Sequence, residues 1–169
     1  NSRMNQILSN TVTGYEDGIA IQKIGSGIAK DYTINGNTVK ANKNGFWILI
    51  SNSNISKNIA TQNNVSGMDI TGSYNNIENN TATYNGLCGI CLGRYNSADY
   101  NIVNGNTLSY NIAGINSASH YTTISNNSVC NNKNNGIIST ANHVTIVGNT
   151  ILNNPSRIIV QGSYNTVQK

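Results

Sequence analysis

The sequence predicts an all-β fold: a single-stranded parallel β-helix of about seven coils, each of 21–27 residues, carrying asparagine ladders. Three observations predict it. Asn10, Asn37, Asn58, Asn80, Asn106, Asn127 and Asn149 share one frame, apolar-x-x-Asn-x-apolar, at spacings of 27, 21, 22, 26, 21 and 22. A second series runs in step: Asn42, Asn63, Asn85, Asn111, Asn132 and Asn154, with Tyr15 in the first coil. A third marker is a glycine before an apolar residue, at Gly18, Gly45, Gly67, Gly89, Gly114 and Gly136, with Arg157 replacing it in the last coil.

Each coil divides into two or three runs of three to five residues, separated by Asn/Gly turns. Ile19-Ala-Ile21, Met68-Asp-Ile70 and Ile90-Cys-Leu92 alternate with the period of a strand, and no stretch sustains a helical period. Inward Ile, Val, Leu and Ala are expected to stack on their copies in neighbouring coils. Asparagine suits the sharp turns, because it tolerates left-handed backbone and its amide can bond local backbone and the next Asn in the stack. Glycine is expected to supply positive φ where a turn needs it.

This pattern resembles the right-handed parallel β-helix repeat of the pectin-lyase-like superfamily, which includes pectate lyases, polygalacturonases, NosD-like periplasmic proteins and phage tailspikes. The resemblance covers roughly residues 4–168, and the residues that carry it are the ladders. It implies a right-handed coil, in line with the usual hand of parallel crossovers. It also implies polysaccharide as the partner, an extracellular, cell-surface or periplasmic location, Ca²⁺ in some members and a trimer in the tailspikes. The family's catalytic motifs are not spelled in this sequence.

Composition is consistent with such a rod. Charged residues make up 9% and apolar residues 37% of the chain, a balance that without the periodicity would read as disordered. The ten Lys and Arg against six Asp and Glu give a net charge of +4, scattered rather than striped, so nucleic acid is not an expected partner. No apolar run has membrane length, so no membrane insertion is expected. The chain reads as one β-helix domain, 1–169, and as a part of a larger protein, because neither end shows a cap.

Function on a solenoid is expected where the repeat is interrupted. Gly45, Gly67, Gly114 and Gly136 are each followed ten residues later by the next frame residue, but Gly18 to Ile34 takes sixteen and Gly89 to Val103 fourteen. The two extended loops, about 22–32 and 93–100, bring Lys23, Lys30 and Asp31, and Arg94, Tyr95 and Asp99. Beside them runs an outward row of Ala20, Trp47, Asp69, Cys91, Asn116, Ile138 and Ile159. Trp47 there is either a sugar-stacking platform or a ring packed under the first loop.

The candidate catalytic set is Asp69, Arg94 and Asp99, and the candidate substrate-binding set is Trp47, Lys23, Lys30, Tyr95 and His120. No acidic pair falls on adjacent coils of one row, as a glycosidase carboxylate pair would require. A lyase would use the basic residues instead. Another row, Asn52, Tyr74, Tyr100, Tyr121, His143 and Tyr164, is expected to stack on itself, with the same strip able to bind a glycan. His120 is the better candidate base of the two histidines.

Cys88-Gly-Ile-Cys91 is a C-x-x-C in spelling only, with Cys88 before the turn, Cys91 outward and Cys130 on another face. No metal site and no cofactor is expected, since neither the carboxylates, for Ca²⁺, nor the His, Met and Cys residues, for copper, form a cluster.

The expected function is therefore recognition of polysaccharide, without catalysis. The alternatives are a polysaccharide lyase or glycoside hydrolase of the pectate-lyase type, a structural solenoid of a cell-surface or phage appendage protein, and an ice-binding solenoid. The last rests on the outward rows Thr11-x-Thr13, Thr81-x-Thr83 and Thr107-x-Ser109, which Lys40, Ile59 and Leu152 interrupt.

Overall fold

The structure is a computed structural model that describes residues 5–22, 29–94 and 98–168. Three parallel sheets run along a right-handed solenoid, two of eight strands and one of seven. Each coil contributes one short strand to each sheet. The frame sheet aligns Ile7, Ile34, Ile55, Ile77, Val103, Ile124, Ile146 and Val167 in one register. The second sheet aligns Val12, Val39, Ala60, Ala82, Leu108, Val129 and Ile151. The third, which follows the glycine marker, aligns Ile19, Phe46, Met68, Ile90, Ile115, Ile137 and Ile158.

These inward columns are the core. From Ile34 to Ile146 the side chains of the first two columns are fully buried. Burial of such stacked aliphatic groups, at about 25 cal/mol per Å² of apolar surface, is the main favourable term. The core is narrow, so the polar corners must be satisfied within the protein.

Both asparagine ladders form. Asn58 Nδ2 donates to Asn80 Oδ1 at 3.0 Å, and Asn80 Nδ2 to Asn106 Oδ1 at 3.0 Å. Asn63, Asn85 and Asn111 repeat this at the next corner, at 2.9 and 3.0 Å. Each Oδ1 also accepts the backbone N–H of the Asn one coil away, as Asn80 Oδ1 does from Asn58 N at 2.9 Å. The amide thus closes the backbone groups that the corner leaves unpaired. A shorter ladder that the repeat frame did not reveal occupies the third corner, where Ser53 N donates to Asn75 Oδ1 and Asn75 N to Asn101 Oδ1.

Two expectations about the corners are corrected. The left-handed backbone does not fall on the ladder asparagines but on the residue before each: Asn79 (φ 55°) before Asn80, Tyr84 (φ 58°) before Asn85, Tyr100 (φ 57°) before Asn101. The ladder amide then points into the corner while its predecessor projects outward. Nor do the marker glycines have positive φ. A Cβ on Gly67 would lie 2.7 Å from Gly89 O and 2.7 Å from Asn85 Nδ2, so the column is glycine because the next coil occupies that space. Arg157 is admitted because, among the described residues, its strand is the last of that sheet.

The expected aromatic row is present. Tyr74, Tyr100, Tyr121, His143 and Tyr164 stack with ring centroids 4.7–5.0 Å apart and planes within 7°. A second stack, Tyr84 on Tyr110 at 4.6 Å, lies at another corner.

Candidate functional site

The outer face of the third sheet carries the chemistry. Its strands bear outward residues on either side of the glycine marker. Ala20, Trp47, Asp69, Cys91, Asn116, Ile138 and Ile159 are register partners, as the periodicity predicts. A second outward column, Asp17, Asn44, Ser66 and Cys88, immediately precedes the glycines. This column was legible in the same repeat but carries no uniform residue type, so nothing marked it as functional.

Asp69 is the centre of the site. It is 4% exposed, yet it is ionisable. One carboxylate oxygen, Oδ2, accepts from Arg94 Nη1 at 3.3 Å, and Arg94 also lies 3.4 Å from Ser66 Oγ. The other oxygen, Oδ1, is buried without a hydrogen-bond partner. Burial pushes the Asp69 carboxyl above the ordinary carboxylate range, and the Arg94 guanidinium opposes that rise only in part. Trp47, half-buried and register partner of Asp69, also leaves its indole Nε1–H buried without an acceptor. Two neighbouring residues therefore present one unmet donor and one unmet acceptor.

These residues edge a depression of about 280 Å³, whose wall includes Glu16, Asp17, Lys43, Asn44, Trp47 and Asp69. The rim is held by Lys43 Nζ–Glu16 Oε1 at 2.6 Å and by Asn44 Nδ2 donating to Asp17 Oδ1 at 2.8 Å. A larger depression, about 500 Å³, lies at the corner of Tyr84, Tyr110 and Lys133. The smaller one is the better candidate, because Trp47 and Asp69, which carry the unmet polar atoms, line it.

The other predicted residues fall into separate places. Asp99 and His120 meet at the third corner, beside the aromatic row: Asp99 Oδ1 accepts from His120 N at 3.2 Å. His120 Nδ1 accepts the backbone N–H of Asn142 at 3.1 Å. A neutral imidazole so bound carries its proton on Nε2, which leaves no free lone pair for a base. Lys30 is exposed, and its strand pairs with the far end of Asn44–Ser51. Lys23 and Tyr95 lie outside the described residues.

The cysteines require a correction. Cys88 does not precede the strand but begins it, and Cys88 and Cys91 are joined in a disulfide on the outer face. Both are fully buried, and Ser66 Oγ lies 3.7 Å from Cys88 Sγ and 3.4 Å from Cys91 Sγ. The marker glycine between them lets residues three apart share one face, which simple alternation forbids. Cys130 is free, on the second sheet. Among the described residues no three His, Cys, Asp or Glu side chains are grouped to hold a metal.

Residues 1–151 match the family model described as a right handed beta helix region. The chain belongs to the right-handed β-helix family. Among solved structures it is similar to the periplasmic alginate epimerase AlgG, at 19% identity and a TM-score of 0.64, over 96% of this chain and 44% of that one. The chain thus spans less than half the length of that structure, and the likeness is one of fold. No curated protein matches the sequence. No helix is long and apolar enough to cross a membrane among the described residues.

On this β-helix, the site's arrangement can do two things. A half-buried indole edge and an unmet carboxylate oxygen can share one hydroxyl, which both donates and accepts. A carboxyl raised by burial and flanked by a guanidinium can also give up or take a proton.

Proposed function

We propose that this β-helix recognises polysaccharide through the depression lined by Trp47 and Asp69, with Arg94 bound to Asp69 beside it. The observation that carries the reading is the pair of unmet buried atoms, Trp47 Nε1 and Asp69 Oδ1, on adjacent coils of one row. A sugar hydroxyl entering between them accepts from the indole and donates to the carboxylate, with small rotations of both side chains opening the way. The largely uncharged outer surface, rich in Asn, Ser, Thr and Tyr, supports the same partner class, as does the fold's likeness to an alginate epimerase. Three carboxylates, Glu16, Asp17 and Asp69, stand against Lys43 and Arg94 at the depression, which favours a neutral chain over an anionic one. An extracellular, cell-surface or periplasmic location follows from such a substrate.

A second reading is cleavage or epimerisation of that polysaccharide, favoured by the raised carboxyl of Asp69 beside Arg94. Asp69 then moves the proton and Arg94 steadies the developing charge. Asp99, at its own corner, orients His120 rather than reacting.

The test is titration of the protein with neutral and uronate polysaccharides, followed through the emission of the single tryptophan, with mass spectrometry of the sugar afterwards for cleavage and proton NMR for epimerisation. Saturable change in emission is the expected result, with affinity weakened about tenfold or more in Arg94→Ala and, followed by calorimetry because it removes the emitting residue, in Trp47→Phe. Intact sugar leaves a recognition module, and shortened or epimerised chains make it an enzyme. No binding across the panel overturns the proposal.

A further inference from the structure

The Cys88–Cys91 disulfide has no evident role in holding the solenoid together. Both cysteines lie in one strand, Cys88–Leu92, at a sequence separation of three. Coils are tied to one another by ladder hydrogen bonds and core columns, and this bond crosses no coil boundary. So short a ring also removes little loop-closure entropy from the unfolded chain.

Its surroundings, by contrast, suit sulfur chemistry. Ser66 Oγ lies within 3.7 Å of both sulfurs, and Arg94 Nη1 reaches that hydroxyl at 3.4 Å. The same guanidinium nitrogen binds Asp69, the register partner of Cys91 one coil away. A cation held next to sulfur stabilises a thiolate, and a neighbouring carboxyl can move its proton. The disulfide, the serine, the arginine and the buried carboxylate form one connected cluster.

We propose that Cys88 and Cys91 form a thiol–disulfide exchange site whose redox state sets the position of Arg94 over Asp69. The co-reactant is a dithiol. Its thiolate attacks Cys88 Sγ, the Cys88–Cys91 bond breaks, and Cys91 leaves as a thiolate steadied by the Arg94–Ser66 pair. Cys91 then takes up a proton. The second thiol of the reductant attacks the mixed disulfide, forming the reductant's own disulfide and releasing Cys88 as a thiol. The protein gains two electrons and two protons, and the reductant loses the same. Both sulfurs are buried, and Ser66, whose hydroxyl touches both, also meets Arg94, so opening the bond to attack disturbs the Arg94–Asp69 pair. The inference rests on the sulfur cluster and does not depend on the glycan reading.

The test uses the folded chain, equilibrated in mixtures of reduced and oxidised dithiothreitol from oxidising to reducing, quenched in acid, unfolded and alkylated, with intact mass counting the tags. One tag, on Cys130, is expected in oxidising buffer and three in reducing buffer, reversibly, with Trp47 emission changing along the same curve. Arg94→Ala is expected to displace the midpoint ratio of thiol to disulfide several-fold. A Cys130→Ser variant, with no tag rising to two, excludes reshuffling through the third cysteine. A single tag at every ratio until denaturant is added overturns the proposal by making the bond structural. Three tags with unchanged emission and an unshifted midpoint in Arg94→Ala overturn it equally, by breaking the link to the ion pair.

Discussion

Arg94 and Asp69, 25 residues apart in sequence, meet at 3.3 Å across adjacent coils, and their pairing leaves the second carboxylate oxygen unsatisfied. The pair is thus under-compensated. Asp69 is an acid whose folded-state pKa is raised by burial, so the folded state holds its proton more tightly than the unfolded chain. Its contribution to stability is fully present below the ordinary carboxylate value and is lost as pH rises through the raised one. Asp69→Asn, which keeps the shape and removes the charge, is therefore expected to raise the urea midpoint at pH 7. Near pH 3 it should leave the midpoint unchanged. A loss of stability at pH 7 would show that the carboxylate is better compensated than its contacts indicate.

Removal of the partner tests the other side of the pair. Arg94→Ala leaves the Asp69 charge buried with neither oxygen bonded to a cation. A cost of about 1–3 kcal/mol at pH 7 is expected, shrinking as acid protonates the carboxyl. Equal destabilisation at pH 7 and pH 4 would mean that Arg94 acts through packing of its stem.

The ladders predict a strong dependence on position. Asn80 Nδ2 donates to Ile55 O at 2.8 Å and to Asn106 Oδ1, while Asn80 Oδ1 receives both the backbone and side-chain N–H of Asn58. Asn80→Ala takes a partner from each of these four groups in a corner closed to water; Asn106 Oδ1 and Asn58 Nδ2 keep another bond, so about two penalties of 1–3 kcal/mol, roughly 2–6 in all, are expected. Asn10 is exposed and its amide serves one side of the ladder, so Asn10→Ala is expected to cost about 1 kcal/mol. Comparable losses at the two positions, measured by urea unfolding, would refute the ladder as a chain of buried satisfactions.

Two glycines separate close approach from backbone freedom. Gly67 has its missing Cβ position filled by the next coil, whereas Gly14 has φ +82° and nothing within 4 Å. Gly67→Ala should destabilise by roughly 3 kcal/mol or more, in the range of overpacked cores. Gly14→Ala should cost about 1–2 kcal/mol, the strain of a left-handed residue with a Cβ. Thermal unfolding of the two variants, with the order reversed, would sink the steric account of the marker column.

The fold was legible because a solenoid writes each contact several times. Ile34, Ile55 and Ile77 occupy one frame in successive coils, so a register across three strands can be read by aligning the chain with itself. The Trp47–Asp69–Cys91 row was legible for the same reason. What escaped was written once. Asp69 and Arg94 fall in one candidate set from the sequence, but Arg94 comes from a loop that breaks the period, and no spacing fixes which atoms its guanidinium meets. The Cys88–Cys91 bond was missed because simple strand alternation sends residues three apart to opposite faces, and the close-packed glycine between them overrides that rule. The left-handed residues were misplaced by one position, since asparagine's tolerance of positive φ and its use as a ladder amide both pointed to the same residue. Tyr84 and Tyr100 in fact take the strained position.

That placement leads to a prediction about the aromatic row. Tyr121 has φ 52° and is stacked between Tyr100 at 4.8 Å and His143 at 4.7 Å. A tyrosine in left-handed backbone is unfavourable by about 1–2 kcal/mol, and two stacked contacts return about 0.5–1.5 kcal/mol each. Tyr121→Ala removes both contacts and keeps the strain. Tyr121→Gly removes the contacts and relieves the strain, so the glycine variant should be more stable than the alanine variant by about 1 kcal/mol. That order is the reverse of the one expected in an ordinary strand, where glycine is the weaker residue. Chemical denaturation of the two variants side by side decides it: an alanine variant as stable as wild type would mean that the stack contributes nothing, and an alanine variant above glycine would mean that φ at this corner relaxes once the ring is gone.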